Sequence, residues 1–518
     1  MLEIRDLNIE FHDHSMPETV VFDFDLKMAA GDIVGIVGES GSGKTMSALA
    51  LCGLLSRHDM KKRGQILFEG QDLLTCSRSV MRGLQGDEIS IIFQEPMTSL
   101  NPVKKIGWQV EESLRIHKNL SKEECYERAI WALREAELPE PEKVYEQYPH
   151  ELSGGMRQRV MIAAAIICKP QILVADEPTT ALDVTIQAQI IELLLKLNRE
   201  HKTSILFISH DLSLVRKLCH RVVVMQDGYV VEQGDTETIF TNPTEEYTKK
   251  LIAAIPDCSG RKEEKDFSGE EVLLEVSDIK SGYTSSAGVF GKKQYKQVLD
   301  GVSFALHKGE VLGLVGESGC GKSTLSKVII GLKKDYTGTV SCYGGGVRMI
   351  FQDPYGSLNP VKTVGWILEE PLKIKGGYTK EARQEKVRNM LHKVGLEDVV
   401  LAHYPGQLSG GQRQRVCIAL ALMSDPKVLI ADEPVSALDV TIQAQILELL
   451  KKLKDEMGLA ILFISHDLRV VYELCDNIMI MQSGKIVEWG TPQKIYRNHE
   501  HPYTGQLLTA AGVMQELV

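Results

Sequence analysis

Short apolar runs rich in β-branched residues recur along the chain between polar or glycine punctuation. "DIVGIVG" (Asp32 to Gly38), "QILVADE" (Gln171 to Glu177) and "SILFISH" (Ser204 to His210) each carry four apolar residues in a compact stretch. That is the pattern of a strand buried on both faces of a parallel sheet. A helix is expected from Lys44. Between Val103 and His150 the period changes. "ESLRIHKNLSKEECYERAIWALREAEL" (Glu112 to Leu138) places apolar residues at three- and four-residue steps, which predicts a separate helical subdomain. The longest apolar runs, such as "VMIAAAIIC" (Val160 to Cys168), fall far short of the roughly 18 residues that span a bilayer.

The same pattern occurs twice. "GIVGESGSGKT" (Gly35 to Thr45) returns as "GLVGESGCGKS" (Gly313 to Ser323). "IIFQEPMTSLNPV" (Ile91 to Val103) returns as "MIFQDPYGSLNPV" (Met349 to Val361). "LSGGMRQR" (Leu152 to Arg159) returns as "LSGGQRQR" (Leu408 to Arg415). "ILVADEPTTALDVTIQAQI" (Ile172 to Ile190) returns as "VLIADEPVSALDVTIQAQI" (Val428 to Ile446), and "ILFISHDL" is repeated unchanged. The expected organisation is α/β: two tandem domains, 1–255 and 272–518, joined by a polar linker over 256–271, "PDCSGRKEEKDFSGEE". The offset between halves is 278 at the lysines (322 − 44) but 258 at the glutamines (352 − 94). The second half is therefore 20 residues shorter there. "FEGQDLLTCSRSVMRGLQGDE" has only "CYGGG" as counterpart, so a trimmed antiparallel region is expected.

Composition narrows the class. A chain of 518 residues with 43% apolar and 25% charged content has the make-up of a soluble multidomain protein. A formal net charge of −11 argues against a nucleic-acid binder, which presents a basic face to phosphate. It does not argue against a nucleotide held by backbone N–H groups. The ten cysteines stand singly, with no CxxC, as reduced thiols would. The first residues, "MLEIRDLNIE", lack the basic start and apolar run of a signal peptide.

Two glycine-rich loops carry the first chemistry. Gly38-x4-Gly43-Lys44-Thr45 and Gly316-x4-Gly321-Lys322-Ser323 are P-loops, each between a strand and a helix. Their glycines let successive N–H groups face phosphate, and the helix N-terminus adds its positive dipole end. Lys44 and Lys322 would reach the β- and γ-phosphates, and the hydroxyls of Thr45 and Ser323 suit Mg²⁺. Asp176 and Asp432 end apolar runs, where a carboxylate can face a metal from a strand tip. Glu177 and Glu433 follow, placed to orient or deprotonate an attacking water. Taken singly, such a D-E pair is an ordinary turn or helix start; its recurrence after a P-loop favours catalysis. His210 and His466 follow strands, 34 residues past the aspartates (210 − 176; 466 − 432), as γ-phosphate sensors would. Gln94 and Gln352 suit contact with Mg²⁺ or water.

P-loop, Gln loop, LSGGQ signature, DE pair, ALD loop and switch His occur in this order in the ATPase domains of ABC transporters. Both halves resemble that family over nearly their whole length. The resemblance implies, in each half, a RecA-like core, an antiparallel β region and a helical subdomain. It also implies head-to-tail closure of two domains, an internal pseudo-dimer with two ATP–Mg²⁺ sites. One site would hold Gly38, Ser40, Gly41, Ser42, Gly43, Lys44, Thr45, Gln94, Asp176, Glu177 and His210, closed by Ser409, Gly410 and Gly411. The other would hold Gly316, Ser318, Gly319, Cys320, Gly321, Lys322, Ser323, Thr324, Gln352, Asp432, Glu433 and His466, closed by Ser153, Gly154 and Gly155. Each Ser is also an ordinary helix cap. Phe11 and Tyr283 stand where the family stacks an aromatic ring on adenine, or are core strand residues. Met156 replaces the usual Gln of the first signature.

"FQEPMTSLNP", "FQDPYGSLNP", "YPHELSGG" and the endings "EEYTKKLIAAIP" and "HPYTGQLLTAAG" are similar to the oligopeptide/dipeptide branch of importer ATPases, in a fused form. That branch implies two transmembrane permease chains, an extracytoplasmic solute-binding protein and a peripheral place on the cytoplasmic face of the inner membrane. The alternative is a tandem ABC ATPase acting on ribosomes or DNA without a permease. The short linker, the acidic charge and the absence of zinc-type cysteine spacing argue against it.

Overall fold

The computed structural model describes residues 1–12, 17–55, 59–180, 182–256, 258, 260, 264–286, 293–436 and 438–513. Two compact units carry the chain, one built from residues 1–182 and 186–255, the other from 256–438 and 442 onward.

In the first unit the strands are β1 (Leu2–Phe11), β2 (Glu18–Met28), β3 (Ile33–Val37), β4 (Met60–Phe68), β5 (Gln71–Asp72), β6 (Ile89–Ile92), β7 (Ile172–Asp176), β8 (Ser204–Ile208), β9 (Arg221–Gln226) and β10 (Tyr229–Asp235). They form an antiparallel sheet, β2-β1-β4-β5, and a six-stranded sheet, β10-β9-β3-β8-β7-β6. All pairs in the larger sheet are parallel except β9 with β10. The three apolar runs within Asp32–Gly38, Gln171–Glu177 and Ser204–His210 form β3, β7 and β8, each buried at every position.

Full burial on both faces explains their unbroken apolar character. Val34, Ile36, Val174 and Leu206 pack toward the antiparallel sheet with Leu7, Ile9 and Phe24. Their neighbours Ile33, Leu173, Ile205 and Phe207 pack toward the helices with Val160, Ile190 and Leu194. The larger sheet therefore separates two cores. The helical subdomain runs over Ile106–Val110, Glu112–His117, Lys122–Glu135 and Pro141–Glu146. Ser121 and Glu124 start its longest helix with a reciprocal capping box.

The second unit repeats this plan with β11 (Val272–Ser286), β12 (Lys293–His307), β13 (Val311–Val315), β14 (Tyr336–Cys342), β15 (Val347–Ile350), β16 (Val428–Asp432), β17 (Ala460–Ile464), β18 (Asn477–Gln482) and β19 (Lys485–Gly490). Its sheets run β12-β11-β14 and β15-β16-β17-β13-β18-β19. The trimmed region is visible: among the described residues nothing replaces β5 or the helix Arg78–Leu84. The described residues of 256–271 pack with this unit. Cys258 is fully buried in its core, the Tyr472 hydroxyl donates to the Gly260 carbonyl, and Lys265 lies 3.9 Å from Asp476.

Glycine at the start of each P-loop is a packing requirement. A Cβ on Gly38 would lie 2.2 Å from the Met225 carbonyl oxygen, and one on Gly316 equally close to that of Met481. Gly38 also has φ 151°. Gly38→Ala is expected to destabilise the first unit by roughly 1–3 kcal/mol, read as a lowered thermal midpoint, because backbone is what it meets.

Candidate active sites: a carboxylate clamped in each unit

β3 ends at Val37, and the loop Gly38–Gly43 leads into the helix Lys44–Leu51. Lys44 is buried, and its Nζ donates to the carbonyls of Gly38 and Glu39, both at 2.8 Å. Burial pulls its pKa below the usual lysine range. Lys322 makes the same pair of bonds, to Gly316 at 2.6 Å and Glu317 at 3.0 Å. Ser42 Oγ is buried with no hydrogen-bond partner among the described residues. An ammonium resting on carbonyls and an unmet buried hydroxyl in the same glycine-rich loop fit a phosphate chain. Cys320 holds the Ser42 position in the second loop, and burial raises its thiol pKa, so it stays neutral.

The strand ends supply the carboxylates. Asp176 closes β7 opposite Ile208 of β8, and Asp432 closes β16 opposite Ile464 of β17. Thr45 Oγ1 donates to Asp176 Oδ1 at 3.1 Å. Burial lifts both aspartates to about 6, against the lowering effect of neighbours that include Thr45 and Ser323. Among the described residues no cationic side chain forms an ion pair with either. A hydroxyl beside a buried carboxylate whose pKa stays raised despite nearby lysines fits a Mg²⁺ ion.

Glu177 and Glu433 sit one residue further, in left-handed backbone at φ 46° and 47°. The conformation costs about 1–2 kcal/mol for a non-glycine residue. Their N–H groups are held by the carbonyls of Ile208 and Ile464, each at 2.9 Å. The side chain that follows is held in a clamp. Glu177 Oε2 accepts from Gln94 Nε2 at 2.8 Å and from Thr180 Oγ1 at 2.9 Å, with His210 Nδ1 at 3.3 Å. Glu433 Oε2 accepts from Gln352 Nε2 at 2.8 Å, with His466 Nδ1 at 3.2 Å. Burial is the largest single effect and pushes both glutamates up, but the histidine contact together with Thr180 and Lys44, or with Lys322 and Gln352, outweighs it, and their pKa values fall below the ordinary range. Burial is likewise the largest single effect on the histidines and pulls them down, but the glutamate together with neighbouring carboxylates that include Asp211 or Asp467 outweighs it, so they are raised. Each pair is a charge-assisted contact that fixes the carboxylate.

Three far-separated motifs, Gln loop, DE pair and switch His, thus meet at one oxygen in each unit. Thr180 was not singled out from the sequence. Its signal is a hydroxyl three residues after the glutamate in both halves, Thr180 and Ser436. The two differ in use: Ser436 Oγ donates to the Glu433 backbone carbonyl at 3.2 Å.

The signature residues lie apart from these clusters in hydrogen bonding. Ser153 and Ser409 are exposed N-caps, accepting from Met156 N and Gln412 N at 3.3 Å. Gln412 returns a bond from the Ser409 N–H at 3.1 Å, a reciprocal box that Met156 cannot make. Gly155 and Gly411 have a local use: a Cβ there would meet Ile186 at 3.0 Å and Ile442 at 2.8 Å. A Cβ on Gly154 would meet open space. Tyr283 stands beside the second P-loop helix, its hydroxyl 3.4 Å from Thr324 Oγ1. Its ring is 48% exposed, with Lys333 Nζ 4.2 Å from the ring centroid. Phe11, at the end of β1 opposite Glu18 and Met60, is partly exposed.

Comparison with known proteins identifies the family. Residues 21–180 and 299–436 match the ABC transporter family. Residues 231–282 and 487–516 match the oligopeptide/dipeptide transporter C-terminal region. The chain is 42% identical to the peptidoglycan transport ATP-binding protein YejF of Agrobacterium fabrum, covering 99% of this chain and 96% of that one. It is 40% identical to the glutathione import ATP-binding protein GsiA of Salmonella choleraesuis, covering 99% and 90%. The archaeal ribosome recycling factor aABCE1, in complex with the ribosomal stalk protein aP1, shares the fold at 20% identity. Its TM-score is 0.64, over 94% of this chain and 92% of that one. Two P-loops, two carboxylate clamps and two C-terminal regions, matched along nearly the whole length, place the chain in the ABC transporter family as a tandem ATP-hydrolysing subunit.

Proposed function

We propose that this chain powers a binding-protein-dependent importer of di- or oligopeptides or related small peptides, with one ATP hydrolysed at each P-loop. The observation that carries the catalytic reading is the repeated clamp, in which Gln, His and Glu from three distant motifs converge on one carboxylate oxygen. Glu177 and Glu433 are the general bases, and their low pKa keeps them ionised at neutral pH. Gln94 and Gln352 hold the carboxylates, and the attacking water with them. His210 and His466 sense the γ-phosphate. Mg²⁺, held by Thr45, Gln94 and Asp176 or by Ser323, Gln352 and Asp432, would neutralise charge on the phosphate oxygens. Each ATP is closed over by the signature of the other half: Ser409, Gly410 and Gly411 for the first loop, Ser153, Gly154 and Gly155 for the second.

The partners are two transmembrane permeases and an extracytoplasmic solute-binding protein, with the chain peripheral on the cytoplasmic face of the inner membrane. No helix among the described residues is long and apolar enough to cross a membrane. Support for permease docking comes from apolar surface at both Gln loops. Phe93 and Val103 are exposed in the first unit, as are Phe351 and Val361 in the second. A cavity of about 560 Å³ beside Phe351 is lined by Met349, Pro371, Ile374 and Leu420. The names of the relatives, which speak of glutathione import and peptidoglycan transport, support a peptide-like solute.

The test is purification from membranes. The wild-type chain is expected to carry two permease chains with it, and Val103→Asp with Val361→Asp to lose them while still hydrolysing ATP. Sedimentation with ribosomes, with no permease retained, would instead favour the alternative of a tandem ABC ATPase acting on ribosomes or DNA without a permease.

A further inference from the structure

The residue that supports each P-loop lysine is itself held from outside the loop. The Glu39 carbonyl takes Lys44 Nζ at 2.8 Å and the Ser42 N–H at 3.1 Å. The Glu317 carbonyl takes Lys322 Nζ at 3.0 Å and the Cys320 N–H at 3.2 Å. The N–H of each of these residues points the other way, to a tyrosine hydroxyl. Glu39 N donates to Tyr247 at 3.1 Å, and Glu317 N donates to Tyr503 at 3.0 Å. Both tyrosines belong to the C-terminal region, in "EEYTKKL" and "HPYTGQL".

The helices that carry them are anchored in turn. Glu232 of β10 accepts from Thr244 N and Oγ1, each at 2.8 Å, and from Glu245 N at 3.2 Å, just before the helix Glu246–Ala253. Glu488 of β19 accepts from Glu500 N at 2.7 Å, His501 N at 3.2 Å and the Thr504 hydroxyl, at the start of the helix Pro502–Ala510. A carboxylate on a sheet strand therefore fixes a helix start, and the second residue of that helix fixes the P-loop. Burial pushes both phenols up to about 12, so they stay neutral.

We propose that Tyr247 and Tyr503 are positioning residues of the two nucleotide loops, preorganising the first peptide of each loop for the triphosphate. Without the hydroxyl, the 38–39 and 316–317 peptides lose their outer acceptor. Ordering of the loop is then deferred to the binding step, where it weakens affinity. Once nucleotide is bound the loop is held by phosphate, and the chemical step is unaffected. The inference rests on the reading of Gly38–Thr45 and Gly316–Ser323 as the ATP loops.

Steady-state ATP hydrolysis by the full chain tests it, with Tyr247→Phe, Tyr503→Phe and the double variant. The double variant is expected to raise KM for ATP about fivefold, the size of one neutral hydrogen bond. Its kcat should stay within about twofold, and the thermal midpoint without nucleotide should be nearly unchanged. An unchanged KM, or a fall in kcat and thermal midpoint at constant KM, would assign the tyrosines to helix packing and overturn the proposal. Lys44→Ala with Lys322→Ala separates the two readings. Loss of ATP binding there, with no effect in the Phe variants, sinks only the tyrosine inference. Retained ATP binding in the Lys variants sinks the loop assignment itself.

Discussion

Glu177→Gln combined with Glu433→Gln is expected to lower ATP turnover by about 10²–10⁴-fold while ATP remains bound, the range for loss of a positioned general base. The substitution keeps the shape of the clamp. An amide oxygen still accepts from Gln94 or Gln352, and Thr180 still has an acceptor. What disappears is the negative charge that pairs with His210 and His466 and takes the proton from water. The left-handed backbone is unchanged, because it is fixed by the bonds to Ile208 and Ile464 rather than by the carboxylate. Phosphate release gives the rate, and nucleotide retained through gel filtration gives the occupancy. Turnover at the wild-type rate would remove both glutamates from the chemistry. The single variants are informative as well. Only Glu177 has the Thr180 bond, so the two single substitutions are expected to differ modestly in residual rate.

Lys44→Ala should weaken ATP binding at the first loop by roughly 10–100-fold, and Lys322→Ala should do the same at the second. A hydrogen bond to a charged group contributes about 1.5–3 kcal/mol. Each lysine is buried, so its removal also takes a donor from two loop carbonyls, Gly38 with Glu39 or Gly316 with Glu317, of which Glu39 and Glu317 keep the Ser42 and Cys320 N–H groups. Equilibrium binding of ATP to each single variant is expected to show one strong site lost and one kept. Two strong sites surviving in either variant would contradict the assignment of that loop.

Much of this site is legible in the chain as written. The P-loops, the strand-end aspartates and the repeat need only local spacing and apolar patterning. A P-loop glycine is forced by a backbone oxygen 2.2 Å from where its Cβ would be, and that kind of constraint leaves a fixed residue type. The convergence of Gln94, Thr180 and His210 on Glu177 is different. Those residues lie up to 116 positions apart (210 − 94), and nothing in spacing says that they share one carboxylate oxygen. The second glycine of each signature, Gly155 or Gly411, has a local use that spacing does not show. Within its own unit it makes room for Ile186 or Ile442. The tyrosines of the C-terminal region stood in the sequence only as markers of a branch, because a hydroxyl accepting one N–H more than 180 residues away has no local signature.

The sequence by itself determined two homologous α/β halves, each with a phosphate loop and a carboxylate pair, because period and punctuation are set by burial along a single strand or helix. Only the tertiary structure decided which side chains hold those carboxylates, which strands flank one another and what braces the loops. Such contacts depend on how sheet and helices bring distant residues within hydrogen-bond reach, a distance that the order of residues does not encode.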